Sequence, residues 1–163
     1  MSVEVRSEPK RGARLARLLR ARAQSFLEAL GRPGADLSLY LVGDAAMRRL
    51  NRTFRGQDRA TDVLSFPQAR AGKLLGDVAL SLDTAERRAR AAGRAVKDEL
   101  DRYLAHGILH LLGHDHHRPG EARRMAAAEA ALIGEGLVAP PGDGVEPARA
   151  RRKRAARTRG SAR

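Results

Sequence analysis

A chain of 163 residues is long enough for one domain with a hydrophobic core and too short for two domains of ordinary size. It contains no run of eighteen apolar residues and begins without the apolar segment of a signal peptide, which argues against a membrane protein and a secreted one. The absence of cysteine excludes a disulfide framework and agrees with a reducing compartment. We therefore expect a soluble, cytoplasmic protein.

The formal net charge of +13 is concentrated at one end of the chain. Residues 148–163 contain eight Lys or Arg and no acid, which leaves 24 basic and 19 acidic residues elsewhere. Such a run is typical of a disordered arm that meets nucleic acid through counterion release. It also agrees with a composition rich in Arg and Ala throughout, and charge alone does not identify a partner. The sequence predicts a folded domain over 1–137 and a basic, disordered tail over 138–163.

The hydrophobic pattern predicts a single α+β domain with a mixed sheet of about four strands and about five helices. The segments with alternating or β-branched residues are expected to form strands at 3–6, 37–42, 61–66 and 75–82. The segments with apolar residues at helical spacing are expected to form helices at 10–30, 45–54, 83–92, from 96 into the histidine segment, and 119–133. The third and fourth strands are close enough in sequence to form a hairpin.

Capping residues set two of the predicted helix boundaries. Asp44 is expected to cap the second helix, and Asp83 with Glu86 three residues later resembles a capping arrangement for the third. The inward-facing residues of the second helix are expected to be Met47, Leu50 and Phe54.

All five histidines lie between residues 106 and 117. His106 and His110 are four residues apart, so a helix projects them from one face. Gly113 suits a left-handed residue that ends the helix, after which the chain can bring His116 back toward the first two. Three imidazoles with an open fourth position are typical of a hydrolytic zinc site, whereas structural zinc sites use four protein ligands. The pattern predicts one zinc ion on His106, His110 and His116, carried by a buried, zincin-like helix.

The spacing of these histidines and Gly113 matches the metzincin pattern HExxHxxGxxH, with one departure. Gly107 stands where a zinc protease has the Glu that acts as general base. Zinc binding is therefore retained, while ordinary peptide hydrolysis lacks its proton acceptor. A pair of histidines at this spacing is also common on helices that bind no metal, so the longer pattern is what favours a metal site.

Three further segments precede the histidines, with the sequences LNRTFR at 50–55, TDVLSFP at 61–67 and LGDV at 75–78. In this order and at these separations, the segments resemble the YbeY family of bacterial endoribonucleases over roughly residues 37–133. The resemblance implies a single-strand-specific, zinc-dependent endoribonuclease that acts in 16S rRNA 3′-end maturation and ribosome quality control. It also implies single-stranded rRNA, the small ribosomal subunit with its proteins, and an assembly GTPase as partners, with no membrane.

The resemblance assigns the metal ligands to His106, His110 and His116, and a catalytic role to Arg55. A guanidinium at position 55 would clamp the scissile phosphate more strongly as negative charge builds in the transition state. The alternative is a solvated loop arginine. The sequence leaves open whether activated water attacks phosphorus or instead deprotonates the 2′-hydroxyl of the RNA.

Other residues of these motifs have more ordinary interpretations. His114 replaces a Tyr found in many family members, and we expect it to pack or be exposed rather than donate a proton. Asp115 is expected either to orient an imidazole or to cap a turn, and His117 is expected on the surface. The residues expected to support the cleft are Thr61, Asp62, Ser65 and Asp77.

Two alternative functions stay open at this point. One is a metallopeptidase-like hydrolase, against which the missing Glu after His106 argues. The other is a ribosome-assembly or rRNA-binding factor in which zinc is a structural staple and catalysis is not essential. The open fourth coordination position argues against this second function.

Overall fold

The computed structural model describes residues 2–68 and 73–134. Within these ranges the strands are β1 Val3–Ser7, β2 Asp36–Val42, β3 Val63–Pro67 and β4 Leu74–Ser81. The helices in the same ranges are α1 Ala13–Ala29, α2 Asp44–Arg55, α3 Leu82–Ala92, α4 Val96–Leu111 and α5 Pro119–Ile133. None of these described helices is both long and apolar enough to cross a bilayer. The predicted boundary at 137 and the predicted tail lie outside the described residues.

The four strands form one mixed sheet in the order β1-β2-β4-β3. The pairs β1–β2 and β2–β4 are parallel, whereas β3 and β4 are antiparallel. A parallel pair needs a long crossover, which α1 provides between β1 and β2. The antiparallel β3–β4 pair is the predicted hairpin. The structure thus confirms the α+β class and the mixed sheet, and it makes β3 an edge strand.

The two faces of the sheet are covered unequally. On one face, the buried residues Leu37, Leu39 and Leu41 of β2 belong to the main core together with apolar residues of α1, α3 and α4. On the other face, α2 packs Met47 over a smaller cluster that includes Leu64 of β3. Side chains alternate between the faces along each strand, so the two clusters share the same backbone. The histidine helix α4 therefore lies on the better covered face.

The starts of α2 and α3 differ from the predicted caps. Gly43 precedes α2, and the Asp83 carboxylate accepts a hydrogen bond from the Asp44 amide at 2.7 Å. Ser81 caps α3 through its hydroxyl, which accepts from the Thr84 amide at 3.2 Å. Asp44 in turn accepts hydrogen bonds from the Ser81 and Thr84 hydroxyls. The prediction that Asp44 and Asp83 cap their own helices was wrong, because the two helix starts lie side by side and exchange these contacts.

The orientation of α2 also departs from the prediction at its C-terminal end. Met47 is fully buried and Leu50 is partly buried, but Phe54 is 63% exposed. Phe54 lies beside Phe66 of the edge strand β3. The prediction that Phe54 faces the core was wrong, because the described sheet ends at β3 and offers no further strand to cover the ring.

Candidate metal centre

The helix that carries the first two histidines lies very close to the sheet. A Cβ atom at Gly107 would lie 2.7 Å from Cγ1 of Val78 and 3.3 Å from Oγ of Ser65. The Ser65 hydroxyl donates a hydrogen bond of 3.2 Å to the Gly107 carbonyl. Only glycine permits this approach of α4 to β3 and β4. Position 107 therefore faces the sheet, and it has no room for the glutamate of the metzincin pattern.

The end of α4 turns the chain back as its sequence predicts. Gly113 has φ of +93°, a conformation that favours glycine. Its amide donates to the His110 carbonyl at 3.0 Å, and the His114 amide donates to the Leu109 carbonyl at 3.0 Å. These two hydrogen bonds form a Schellman motif, which satisfies carbonyl groups at the helix end. The turn allows His116 to approach the helical histidines.

Three histidines meet at this turn, and we call His106, His110 and His116 the three-histidine cluster. One ligand nitrogen from each lies within 4.8 Å of the other two. The Nε2 atoms of His106 and His110 are 3.1 Å apart. Zinc–nitrogen bonds of 2.0–2.1 Å in a tetrahedron would place two nitrogens about 3.3 Å apart. The geometry and the donor types are therefore those of a site that can bind a metal ion.

The three-histidine cluster is accessible from one side. His106 is buried, with 2% of its surface exposed, whereas His110 and His116 are partly exposed. Burial fixes the position of the first imidazole, and the exposed side leaves a route for solvent or substrate. This arrangement suits an open site better than a closed structural one.

A buried carboxylate that the sequence analysis missed holds the first histidine. Oε1 of Glu129, on α5, lies 2.5 Å from Nδ1 of His106, and Glu129 is only 6% exposed. A carboxylate accepts a hydrogen bond, so Nδ1 carries the proton and Nε2 presents its lone pair to the cluster. The sequence did offer a signal, because Glu129 lies one helical turn after Met125, on the face of α5 that packs inward.

Asp115 caps the turn, and its Oδ1 also lies 3.3 Å from Nε2 of the His117 imidazole. Its Oδ1 accepts hydrogen bonds from the amides of His116 at 2.7 Å and His117 at 3.3 Å. Partial burial raises the pKa of the Asp115 carboxyl, but these amide hydrogen bonds outweigh it and the pKa is lowered overall. The side chain of His117 is 78% exposed, as predicted, and His114 is half-buried outside the three-histidine cluster.

Arg55 lies at the edge of the sheet, as the last residue of α2 rather than in a loop. Its Nη2 donates to the Ser65 carbonyl at 3.3 Å, while the Ser65 hydroxyl contacts Gly107 on the opposite side. One residue of the edge strand thus separates the exposed guanidinium from the backbone of α4 next to His106. The structure brings the three predicted ligands together, and Ser65 connects Arg55 to the helix that carries two of them.

The other predicted motif residues make structural contacts. The buried Asp62 accepts hydrogen bonds from the Val63 amide at 2.8 Å and from Nη1 of Arg88 at 2.6 Å. Thr61 donates to Asp62, and Asp77 accepts from Gln68. These contacts hold the start of β3 and the end of the β3–β4 pair at which the chain connects the two strands.

Comparisons with known proteins identify the family of this chain. The sequence profile described as Endoribonuclease YbeY matches residues 4–135. The protein named Endoribonuclease YbeY in Anaeromyxobacter sp. (strain Fw109-5) is 61% identical over 142 residues, covering 85% of this chain and 74% of the relative. The protein of the same name in Anaeromyxobacter dehalogenans (strain 2CP-C) is 63% identical over 142 residues, with the same coverage.

A solved structure shares the fold. The solution structure of TM1509 from Thermotoga maritima is similar with a TM-score of 0.57 and 27% sequence identity, covering 82% of this chain and 90% of that one. The profile match spans most of the chain, and the identities to the Anaeromyxobacter proteins extend over most of their length. The chain therefore belongs to the endoribonuclease YbeY family.

Proposed function

We propose that this protein is a single-strand-specific, zinc-dependent endoribonuclease that acts in 16S rRNA 3′-end maturation and in ribosome quality control. Family membership supports a hydrolase that acts on RNA phosphodiester bonds. The observation that carries the proposal is the convergence of three imidazoles within 4.8 Å at a partly exposed site.

His106, His110 and His116 would hold the zinc ion through ring nitrogens. Zinc in such a site activates a water molecule and stabilises negative charge on a phosphoryl oxygen. The chain prepares this site through Glu129, which keeps the proton on Nδ1 of His106. Gly107 leaves no space for the protease glutamate, which argues against a peptide as substrate, and family membership supports RNA.

Arg55 is the residue we assign to the scissile phosphate. A guanidinium has five N–H donors, and the Ser65 carbonyl accepts a hydrogen bond of 3.3 Å from one nitrogen of Arg55. Arg55 makes no side-chain ion pair with the residues that the structure describes. The remaining donors can therefore bind phosphate oxygens, with a bond that strengthens as charge develops.

The proposed substrate implies the proposed partners and location. Precursor rRNA is assembled with small-subunit proteins, so these proteins and an assembly GTPase are the partners we propose. Because bacterial ribosomes form in the cytoplasm, the proposal includes a cytoplasmic location. The basic run at 148–163 is proposed to add nonspecific affinity for rRNA.

The test pairs metal analysis with cleavage of a precursor RNA that extends past the 16S 3′ end. We expect about one zinc per chain, cleavage of single-stranded regions, loss of cleavage with chelator, and recovery on adding zinc. Casein incubated in parallel should stay intact. Cleavage that persists after complete metal removal would contradict zinc dependence. Binding of rRNA without cleavage would favour an assembly factor in which the zinc is structural.

A further inference from the structure

An aromatic pair of the exposed Phe54 and the partly buried Phe66 lies where α2 meets the β3 edge of the sheet. The ring centroids of Phe54 and Phe66 are 5.1 Å apart with an interplanar angle of 62°, an edge-to-face contact. The chain has three Phe, two Tyr and no Trp. Phe26 and Tyr103 are almost fully buried, Phe66 is partly buried and Tyr40 is 37% exposed, so Phe54 at 63% is the most exposed of these five. A single exposed apolar residue is ordinary, so its surroundings must decide its role.

The surroundings of Phe54 are cationic. The α2 helix has four arginines, at positions 48, 49, 52 and 55, and its acidic residue is Asp44 at the opposite end. Arg48 and Arg52 lie within 4.0 Å of Asp58, whereas Arg55 makes no ion pair among the described residues. The exposed residues beside Phe54 in the last turn are Arg52, Thr53 and Arg55. A ring flanked by arginines fits nucleic acid better than an apolar protein surface.

The aromatic pair is connected to the proposed cleavage site through the edge strand. Phe66 follows Ser65, whose carbonyl binds Arg55 and whose hydroxyl contacts Gly107 of α4. Successive strand residues point to opposite faces, so Phe66 points away from α4 while Ser65 points toward it. An RNA strand that crosses the β3 edge at Arg55 would therefore have one side near the histidines and the other near Phe54.

We infer that Phe54, supported by Phe66, stacks against an unpaired base of the RNA at a nucleotide that flanks the scissile phosphate. This inference rests on the proposed function and adds a physical basis for single-strand preference. Every base has a π face, so stacking on phenylalanine tolerates sequence variation. In a duplex, the faces of the bases are already stacked on their neighbours. The pair therefore selects strands whose bases are free.

The test uses the purified, metal-loaded full chain and a single-stranded 2′-O-methyl oligoribonucleotide, with its integrity checked on a denaturing gel. Phe54→Leu keeps an apolar side chain but removes the π face. We expect Phe54→Leu to weaken binding about tenfold by fluorescence anisotropy. The wild type should bind a matched abasic oligonucleotide with a similarly reduced affinity. Removing the base should reduce the affinity of Phe54→Leu much less, because the two changes remove the same contact.

A second variant gives a direct signal. Phe54→Trp introduces the single tryptophan of the chain, since the natural sequence has none. Its fluorescence should be quenched by the single-stranded oligonucleotide, and much less by the abasic strand or a fully paired duplex. Leu18→Ala is the matched control, because Leu18 is also exposed, at 45%, but lies on α1 over the opposite face. It should bind RNA like the wild type.

Equal RNA affinities for the wild type and Phe54→Leu, or equal quenching by intact and abasic strands, would overturn the inference. Normal RNA binding by Phe54→Leu with lost binding to small-subunit proteins would also overturn it, in favour of a protein-docking residue. Cleavage of unmodified RNA is measured separately. A wild type that binds but never cleaves would contradict the proposed function, while unchanged affinity in Phe54→Leu with normal wild-type cleavage would contradict the stacking role alone.

Discussion

The two sides of the proposed active site are constructed differently. On the metal side, α4 is buried against the sheet, and the carboxylate of Glu129 holds His106. On the RNA side, Arg55 and Phe54 are exposed, held by one carbonyl contact and one ring contact within the described ranges. Packing therefore fixes His106 of the metal side within the fold, whereas Arg55 and Phe54 of the proposed RNA side have fewer contacts with the described residues. Substitutions on the two sides should have separable effects.

The largest expected effect is on the metal side. His110→Ala removes one of three ligands, so both bound zinc and RNA cleavage should be lost. Added zinc should raise the Tm of the wild type but not of this variant, because only a native-state site stabilises the fold. Metal analysis, a cleavage assay and thermal unfolding measure these outcomes. His117→Ala is the control, since His117 is exposed and outside the cluster; full zinc content in His110→Ala would contradict the site.

The next effect separates the two sides. Arg55→Ala should retain zinc but lower the cleavage rate about 10²- to 10³-fold, as expected for loss of a donor to developing charge. Arg55→Lys should recover part of the rate, because it keeps the charge but not the planar fork. Single-turnover cleavage and metal analysis measure both outcomes. Loss of zinc in Arg55→Ala would show that the two sides are not independent.

A smaller effect tests how the metal side is prepared. Glu129→Ala should weaken zinc binding by roughly 10- to 100-fold, because His106 loses the acceptor that fixes its ring. Glu129→Gln keeps an acceptor oxygen and should bind zinc with intermediate affinity. Competition with a metal chelator measures the affinity, and Glu121→Ala is a control for acid loss on the same helix. Unchanged zinc affinity in Glu129→Ala would remove Glu129 from the metal centre.

The smallest expected effect concerns packing. Gly107→Ala places a methyl group 2.7 Å from Val78, so the free energy of unfolding should fall by about 1–3 kcal/mol as α4 shifts from the sheet. Denaturant unfolding of the metal-free protein measures this change. Gly120→Ala is the control, because a Cβ there has its nearest neighbour at 4.0 Å. Equal stability of Gly107→Ala and the wild type would mean that the close approach of α4 is easily relieved.

The features that the sequence predicted are those determined by nearby residues. His106, His110 and Gly113 lie within one helix and its terminal turn, where spacing fixes direction. Alternation or β-branched and aromatic content likewise located all four strands of the described sheet. These predictions depend on local geometry, and the tertiary structure did not override them.

The features that the sequence did not predict depend on which elements become neighbours. Glu129 reaches His106 only because α5 packs against α4, a contact between residues 23 positions apart. The exposure of Phe54 follows from the strand order that puts β3 at the edge. Asp83 accepts the Asp44 amide, and Asp44 accepts the Ser81 hydroxyl, because the two helices begin side by side. A periodic pattern within one segment contains no information about such neighbours.

The edge position of β3 has a consequence for self-association. Unpaired backbone groups on a sheet edge can template the addition of a strand from another molecule, and natural proteins often block this with a charged side chain. Arg55 donates a hydrogen bond to the Ser65 carbonyl at the β3 edge and places a positive charge there. We expect this arginine to oppose aggregation in addition to its proposed role at the scissile phosphate, so variants lacking it should scatter more light during concentrated storage.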